Sequence, residues 1–403
     1  MSNKASYIID AVRTPIGKFG TSLASIRTDD LAAHAIRSLM DRQDFDPGEI
    51  DDVIMGCANQ SGEDNRNVAR MALLLAGLPF SVPGETTNRL CASGMSAVIN
   101  AHRAIQSGDG DLFIAGGVEH MTRGPWVISK ASTPFGRDAK MVDSSFGWRF
   151  INPKMQEIYG AEEMGHTAEN LAEKYDINRD EQDAYACHSQ MKAALAQKEG
   201  IFEYEIVPIE IPQKKADPII FKDDEFLKPH TSIEGLAKLK SAFKKEGSVT
   251  AGNSSGINDG SAAMIIASDI GIKTHNLNPL AQIVASAVVG VEPRIMGIGP
   301  VKAANKALTK AGLTMDKIDV IELNEAFSAQ SLACIRQWGL ADDDPRINPN
   351  GGALALGHPL GMTGTRILQT AALELRRKQK KCALVTMCVG VGQGYAVIIE
   401  NIK

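Results

Sequence analysis

The stretch Glu49-Ile50-Asp51-Asp52-Val53-Ile54 returns in a similar form, Lys317-Ile318-Asp319-Val320-Ile321, 268 residues further along the chain. In both places a helical pattern and a glycine-containing turn come first, and a strand pattern follows. A second pair, residues 94–117 and 364–390, shows a helix, a polar turn and a strand at an offset of 270 residues. Because the two offsets agree, the sequence predicts one duplication and therefore two similar domains packed together.

Strand and helix patterns alternate over most of the chain. The strand patterns cover 7–11, 52–56 and 112–117, and the helical patterns cover 31–41, 66–75 and 94–106. This alternation predicts an α/β architecture with a buried parallel or mixed sheet.

Residues 126–247 do not follow this alternation of strand and helix patterns. They contain a charged, proline-containing stretch at 208–229 and a helical pattern at 169–199 that is interrupted near Asn178. Such a segment is either an insertion that carries binding loops or a mobile surface excursion.

Composition narrows the class of protein. The chain has 403 residues, of which 44% are hydrophobic and 23% charged, as is usual for a soluble protein of more than one domain. A net charge of −5 argues against a nucleic-acid-binding protein. No apolar run has the length of a membrane span, and the ends show neither a signal peptide nor a retention tag. We therefore expect a cytoplasmic protein with no membrane partner.

Six cysteines are spread thinly, at positions 57, 91, 187, 334, 382 and 388. The absence of a Cys-x-x-Cys pair argues against a disulfide framework and a zinc site, so no metal is predicted. Each cysteine is then either a buried apolar residue or a reactive thiol.

Four stretches combine reactive side chains with special backbone positions. Cys91, in Asn88-Arg89-Leu90-Cys91-Ala92-Ser93-Gly94-Met95, lies where an extended segment becomes a helix, and backbone amides and the helix dipole are expected to lower its pKa. Asn324 and Glu325 follow a strand. His358 lies in a glycine-lined turn ahead of a helix, and Cys388 ends a strand just before Gly390-Val391-Gly392-Gln393-Gly394.

Other interpretations of these stretches remain open. A single histidine in a turn is often a surface or capping residue. The last glycine-rich loop is not a dinucleotide fingerprint, because only nine residues follow Gly394 and that motif should open a helix. Cys91 with His358 also fits a cysteine hydrolase, although that function gives no role to Cys388.

Taken together, the four stretches resemble the thiolase family in their order and motif contexts. The resemblance runs from end to end and includes residues 11–17 and 249–260. It implies an acyltransferase in which Cys91 is the nucleophile, His358 activates Cys91 and polarises a carbonyl, and Cys388 is a second acid/base. Asn324 would hold a water of one oxyanion site, and the N–H groups of Cys91 and Gly390 would form the other.

The same resemblance implies the domain organisation and the ligand. It predicts two similar α/β halves with mixed five-stranded sheets packed in layers, together with an inserted loop domain. The first half would comprise 1–125 and 248–272, the loop domain 126–247, and the second half 273–403. Coenzyme A would be a substrate, no cofactor would be bound, and the chain would form a homodimer or homotetramer. Residues expected to contact CoA are Lys228, Phe243, Ser255, Gly256, Met164 and Phe327.

At a finer level, residues 57–70 and 147–153 resemble the 3-oxoadipyl-CoA thiolases, which split a dicarboxylic thioester into succinyl-CoA and acetyl-CoA. Arg149 would then either meet the distal carboxylate or form a structural salt bridge. The alternatives are an acetoacetyl-CoA or general 3-oxoacyl-CoA thiolase, and a CoA-binding protein of the same fold without activity. Glu163 stands where many biosynthetic thiolases have histidine, so no role is assigned to it.

Overall fold

A computed structural model of the protein describes residues 4–402. The strands are β1 (Ser6–Arg13), β2 (Gly17–Lys18), β3 (Asp52–Gly56), β4 (Gly84–Thr87), β5 (Leu112–His120), β6 (Trp126–Ile128), β7 (Met141–Asp143), β8 (Ile209–Ile211), β9 (Ile219–Phe221), β10 (Asn258–Ser268), β11 (Ala281–Gly290), β12 (Val320–Leu323), β13 (Cys382–Val389) and β14 (Gln393–Asn401). The α-helices are α1 (Thr28–Met40), α2 (Val68–Ala76), α3 (Ser93–Ser107), α4 (Pro153–Tyr159), α5 (Met164–Lys174), α6 (Arg179–Lys198), α7 (Ile233–Ala237), α8 (Asp269–His275), α9 (Gly299–Ala311), α10 (Ser328–Gln337), α11 (Ala353–Leu356) and α12 (Leu360–Arg377).

Two sheets of the same topology meet edge to edge. The strand order is β12-β13-β14-β11-β1-β10-β5-β3-β4, with β2 paired to β10 outside this path. The halves join where β1 pairs antiparallel with β11 through Tyr7–Gln282 and Ile8–Ala281. The fold class predicted from the sequence is confirmed, and the edge joint adds that the halves share one continuous sheet.

The duplication is visible in the strand pairings. In the first half β3 is parallel to β5, and β10 is antiparallel to both β5 and β1. The second half repeats this plan with β12, β13, β14 and β11. Even the register irregularities correspond, at Ile8/Asp10 in β1 and at Ile283/Ala285 in β11. The counterpart of β4 is reduced to Ile347, which makes an isolated parallel bridge with Ile321.

The aspartates of the two repeated stretches, Asp51 and Asp319, make equivalent hydrogen bonds in the two halves. The Asp51 carboxylate accepts the N–H groups of Asp111 and Leu112, at 2.7 and 2.9 Å, at the start of β5. The Asp319 carboxylate accepts those of Lys381 and Cys382, at 3.0 and 3.1 Å, at the start of β13. Each aspartate thus ties the segment before one parallel strand to the start of the next, so the side chain is needed in both halves.

Helices α3 and α12, one from each half, pack against each other in the interior. Their apolar residues share a core cluster with residues of the central strands. Glycine allows this close approach, because a Cβ at Gly94 would lie 2.5 Å from the Gly361 carbonyl oxygen and one at Gly364 would lie 2.3 Å from the Met95 nitrogen. The N-termini of the two helices therefore lie side by side.

The inserted segment folds over this joint. The helical pattern predicted at 169–199 is divided as expected, because Asn178 and Glu181 form a capping box that starts α6. Arg13, fully buried in β1, binds the segment through ion pairs with Glu205 (2.9 Å) and Asp224 (2.7 Å). Among residues 4–402, no helix has both the length and the apolar character that a membrane span requires.

Candidate active site

Cys91 lies in a single 3₁₀ turn, Leu90–Ala92, directly before α3. Local hydrogen bonds hold the turn: Asn88 Oδ1 accepts the Leu90 N–H at 2.8 Å, and Ser93 Oγ accepts the Arg89 N–H at 2.9 Å. Leu90 has a φ of +48°, which a side chain rarely adopts. The predicted change from extended segment to helix is therefore confirmed, with a strained residue next to the thiol.

The Cys91 sulfur faces two backbone N–H groups. Burial raises the pKa of this thiol, hydrogen bonds from the N–H groups of Gly390 and Cys91 itself lower it, and the nearby Glu119 carboxylate raises it, so that the pKa lies at about 11. The expectation of a lowered pKa is wrong in its net direction, because removal from water outweighs the two donors. At neutral pH the thiol holds its proton and needs a base to become a nucleophile.

Cys388 lies near the end of β13 and is almost completely buried. Burial, followed by the proximity of Cys91 and Cys334, raises its pKa well above the ordinary value. Cys91 is thus close enough to affect the ionisation of Cys388, and Cys388 is a thiol that keeps its proton.

An apolar cluster surrounds Cys388 and contains three of the residues predicted to contact CoA. Phe327 is buried in it, and Met164 and Phe243 pack against it. The rings of Phe243 and Phe327 meet edge to face, with centroids 6.3 Å apart. These side chains come from the inserted segment and from the second half, so the cluster closes over the joint between them.

His358 lies in the predicted turn ahead of α12. The backbone N–H of His358 donates to Asn258 Oδ1 at 3.0 Å. Gly357 has a φ of +104°, and a Cβ there would lie 2.5 Å from Asn258 Cγ, so this turn requires glycine. Burial, and then the Arg366 charge, lower the pKa of His358 to about 3. The imidazole is therefore neutral at physiological pH.

The two ring nitrogens of His358 meet different partners. Nε2 lies 3.4 Å from Asn324 Nδ2, and Nδ1 lies 2.7 Å from Thr363 Oγ1. Asn324 follows β12, and its N–H donates to the Thr386 carbonyl of β13 at 3.0 Å. Its buried Oδ1 has no hydrogen-bond partner among residues 4–402, so this acceptor is left unsatisfied within the described chain.

Glu325, next to Asn324, has a structural role. Its carboxylate accepts hydrogen bonds from Ser189 Oγ at 2.6 Å, Asn348 Nδ2 at 2.7 Å, Tyr185 Oη at 3.3 Å and the Leu354 N–H at 3.2 Å. These bonds connect the segment after β12 to α6 and α11. They fix the backbone that carries Asn324.

Sequence reasoning missed Glu119. Its buried carboxylate accepts the N–H groups of Ala58 and Asn59 at 3.0 Å and that of Gly361 at 2.8 Å, so it ties the turn after His358 to the first half. Burial raises the pKa of Glu119 to about 7. The sequence signal was hidden because the strand was predicted to end at the glycine pair before Val118.

Cys57, Asp64 and Glu119 form the one trio of potential metal-ligating groups found among residues 4–402. Asp64 accepts the Gln60 N–H at 3.2 Å and the Gly62 N–H at 2.8 Å, and all Glu119 donors are backbone amides. Carboxylates satisfied in this way stabilise loops, and the trio gives no support to a metal site.

Of the other residues expected to contact CoA, Ser255 and Gly256 lie just before β10, and Lys228 lies between β9 and α7. The Ser255 N–H donates to the Ala326 carbonyl at 3.0 Å, next to Phe327. A Cβ at Gly256 would lie 2.5 Å from the Phe226 ring, and Lys228 Nζ lies 4.8 Å from the centroid of the same ring. Burial, and then Lys18, lower the pKa of Lys228. Ser255 thus lies beside Phe327, and Gly256 and Lys228 both lie beside Phe226, while their contact with CoA stays a prediction.

Arg149 donates to the carbonyl oxygens of Ser144 and Asn59, both at 3.1 Å. No carboxylate among the described residues lies within 4 Å of its guanidinium, so the alternative of a structural salt bridge is wrong. Asn59 is also one of the residues held by Glu119. Within the described part of the chain Arg149 thus has no carboxylate partner, and its guanidinium binds two backbone carbonyls next to the framework of the site.

Comparison with known proteins gives matches over nearly the whole chain. The sequence model of the thiolase N-terminal domain matches residues 6–269, and that of the thiolase C-terminal domain matches residues 277–401. A "Beta-ketoadipyl-CoA thiolase" of Acinetobacter baylyi is 54% identical over 400 residues, which cover 99% of this chain and 100% of the relative. A "3-oxoadipyl-CoA/3-oxo-5,6-dehydrosuberyl-CoA thiolase" of Escherichia coli has the same identity and coverage. The crystal structure of human mitochondrial 3-ketoacyl-CoA thiolase in complex with CoA is 40% identical, with a TM-score of 0.92, over 99% of this chain and 98% of that one.

Proposed function

The chain belongs to the thiolase family, a family of acyltransferases, and from this premise we propose that it cleaves 3-oxoadipyl-CoA with coenzyme A into succinyl-CoA and acetyl-CoA. The observation that carries the proposal is the position of Cys91. Its sulfur faces the Gly390 N–H and lies near Cys388, while the turn that holds His358 packs against the helix that Cys91 precedes. CoA is then the second substrate, and the cytoplasm is the proposed location.

The first half-reaction uses the protonation states of the site. His358 Nε2 takes the proton of Cys91, and the thiolate attacks the 3-oxo carbon of the substrate. The bond between C2 and C3 breaks, and its electron pair goes to the acetyl-CoA enolate. Cys388 donates its proton to C2, leaving a succinyl group on Cys91. The high pKa of Cys388 suits this step, because an acid must hold its proton until the enolate forms.

The second half-reaction reverses the proton movements. Cys388, now a thiolate, takes the proton of an incoming CoA thiol, and the CoA sulfur attacks the succinyl carbonyl. Cys91 leaves with the proton returned from His358. The N–H groups of Cys91 and Gly390 stabilise the oxyanion at the acyl carbon. A water that donates one hydrogen to Asn324 Oδ1 keeps its other hydrogen for the enolate oxygen, consistent with the unpartnered state of that atom.

The substrate assignment rests on the relatives' names and on Arg149. A charge-assisted pair between Arg149 and a terminal carboxylate contributes about 1.5–3 kcal/mol. This corresponds to about 10- to 150-fold in kcat/KM at 1.4 kcal/mol per decade. Because Arg149 is partly exposed, solvent screening places the expected preference near the low end.

The test compares thiolysis of 3-oxoadipyl-CoA with that of 3-oxohexanoyl-CoA, which has the same chain length without the charge. We expect about a tenfold higher kcat/KM for 3-oxoadipyl-CoA and loss of this preference in Arg149→Ala. Arg137→Ala is the matched control, since Arg137 is an exposed arginine of the same inserted segment. Faster turnover of the uncharged substrate would reject the dicarboxylate and leave a general 3-oxoacyl-CoA or acetoacetyl-CoA thiolase.

A further inference from the structure

Thr363 contacts the histidine of the site from the side away from Asn324. It lies in the first turn of α12, five residues after His358, and is almost completely buried. Its Oγ1 is 2.7 Å from His358 Nδ1 and 2.8 Å from the Pro359 carbonyl oxygen. Both distances are those of hydrogen bonds, and the hydroxyl has one hydrogen to share between them.

Only one arrangement of hydrogens makes both contacts favourable. The Pro359 carbonyl is an acceptor, so the Thr363 hydroxyl must donate to it. Oγ1 is then the acceptor for His358, and Nδ1 must carry the imidazole proton. If the hydroxyl donated to Nδ1 instead, two oxygens would face each other at 2.8 Å with no hydrogen between them.

We propose that Thr363 is a positioning residue that selects the Nδ1–H tautomer of His358 and so keeps Nε2 free to accept the proton of Cys91. This inference rests on the proposed function, since it gives the base of that reaction its working form. The contact at Nε2 agrees, because Asn324 Nδ2 at 3.4 Å is a donor facing a bare nitrogen. The backbone of His358 is held independently of Thr363, by the hydrogen bond from its main-chain N–H to Asn258 Oδ1.

The hydroxyl also acts when the histidine becomes charged. Burial and Arg366 oppose the imidazolium. A chain of hydrogen bonds from Nδ1–H through Thr363 to a carbonyl places oxygen next to the new charge. Because Thr363 is buried, water does not reach its position to replace it.

The test exchanges the hydroxyl for a methyl group of similar size. In Thr363→Val the acceptor for Nδ1–H is lost, and we expect kcat for 3-oxoacyl-CoA thiolysis to fall about 10- to 100-fold, with KM changed less than about threefold. Acetylation of Cys91 by acetyl-CoA should slow in parallel. Thr363→Ser, which keeps the hydroxyl, should restore most of the rate. Thr370→Val is the matched control, because Thr370 is buried on the same helix and its hydroxyl has no partner among residues 4–402.

A spectroscopic measurement on the wild-type protein tests the tautomer directly. In ¹⁵N-histidine-labelled protein, the His358 signals, assigned by their absence in His358→Gln, should show a protonated Nδ1 and a bare Nε2. A proton on Nε2, or a Thr363→Val variant with wild-type kcat, would overturn the inference. If Thr363→Val does not fold, the wild-type spectrum decides alone. A wild-type protein that shows this tautomer but does not cleave 3-oxoacyl-CoA would reject the proposed function and leave the tautomer assignment intact.

Discussion

At the residue scale, the site contains two thiols whose protons are held tightly for different uses. Burial raises the pKa of Cys91 to about 11, so the thiolate is scarce until a base removes the proton, and the Gly390 and Cys91 N–H groups then stabilise the negative charge. Cys388 has a pKa raised well above the usual value by burial and by the neighbouring thiols. Cys91 is therefore suited to attack once activated, and Cys388 is suited to protonate a carbanion.

Replacing each thiol by a hydroxyl should separate these roles. With acetyl-CoA, the wild-type protein should carry one acetyl group on Cys91, as measured by peptide mass spectrometry, and Cys91→Ser should carry none there. Cys388→Ser should still acquire this acetyl group because Cys91 keeps His358, and its acetylation should be slowed less than full turnover, in which Cys388 acts in both half-reactions. Full turnover should fall about 10²–10⁴-fold, the scale of a lost general acid/base. A Cys388→Ser variant with wild-type turnover would make Cys388 only a core residue. Cys382→Ser serves as the control, since Cys382 is a buried thiol at the start of β13, at the opposite end of the strand from Cys388.

At the scale of elements, the contact between α3 and α12 brings together the turn that carries Cys91 and the turn that carries His358. In Gly364→Ala the new Cβ would lie 2.3 Å from the Met95 nitrogen, so the helices must separate. Such overpacking costs about 1–3 kcal/mol, and we expect a lower Tm together with slower acetylation of Cys91.

The control for this substitution is Gly290→Ala at the end of β11, where a Cβ would meet nothing within 4 Å. It should change stability by no more than about 0.5 kcal/mol. Equal Tm values for the two variants would show that α12 does not depend on this close approach.

Elements with a local signal were predictable, and contacts between distant elements were not. Asn178 marks the start of α6 because its capping box is encoded within four residues. The strand predicted to end at Gly117 continues to His120. The pair Gly116-Gly117 suggests a turn in the sequence, but in the structure it lies within the strand, where neighbouring backbone leaves no room for a side chain. That extension carries Glu119 into the site. The raised pKa of Cys91 is not visible in the sequence for a related reason, because burial is a property of the assembled fold and not of the motif.

At the scale of the whole molecule, the two halves share the same strand pairings, but they contribute different residues to the site. The halves repeat the same pairings, yet Cys91 comes from the first half while Asn324, His358 and Cys388 come from the second. The pairing of β1 with β11 joins strands more than 270 residues apart and had no signal in the sequence. The domain boundaries at 125, 247 and 272 stay a prediction. We propose them because β10, which follows the inserted segment in the chain, lies between β1 and β5 in the sheet of the first half.

The inserted segment also exposes an apolar surface that supports the predicted homo-oligomer. The β6–β7 hairpin presents Trp126 and Ile128, each 66% exposed, and Met141, with Phe135 fully exposed between the strands. Apolar groups concentrated on one projecting hairpin are typical of a surface covered by another chain. A second copy of this chain is the partner we predict.

Analytical ultracentrifugation of the wild-type protein should therefore give a mass of two or four chains. Changing Trp126 and Met141 together to Ser removes apolar area from the hairpin, and we expect the mass to shift toward a smaller assembly at micromolar concentration. Ile270→Ser, at a 52% exposed position on α8 away from the hairpin, should leave the mass unchanged. A wild-type protein that sediments as a single chain would contradict the prediction. A hairpin variant that keeps the full mass would instead assign the interface to another surface, because Trp126 and Met141 are two of the four exposed apolar side chains on which this interface is predicted.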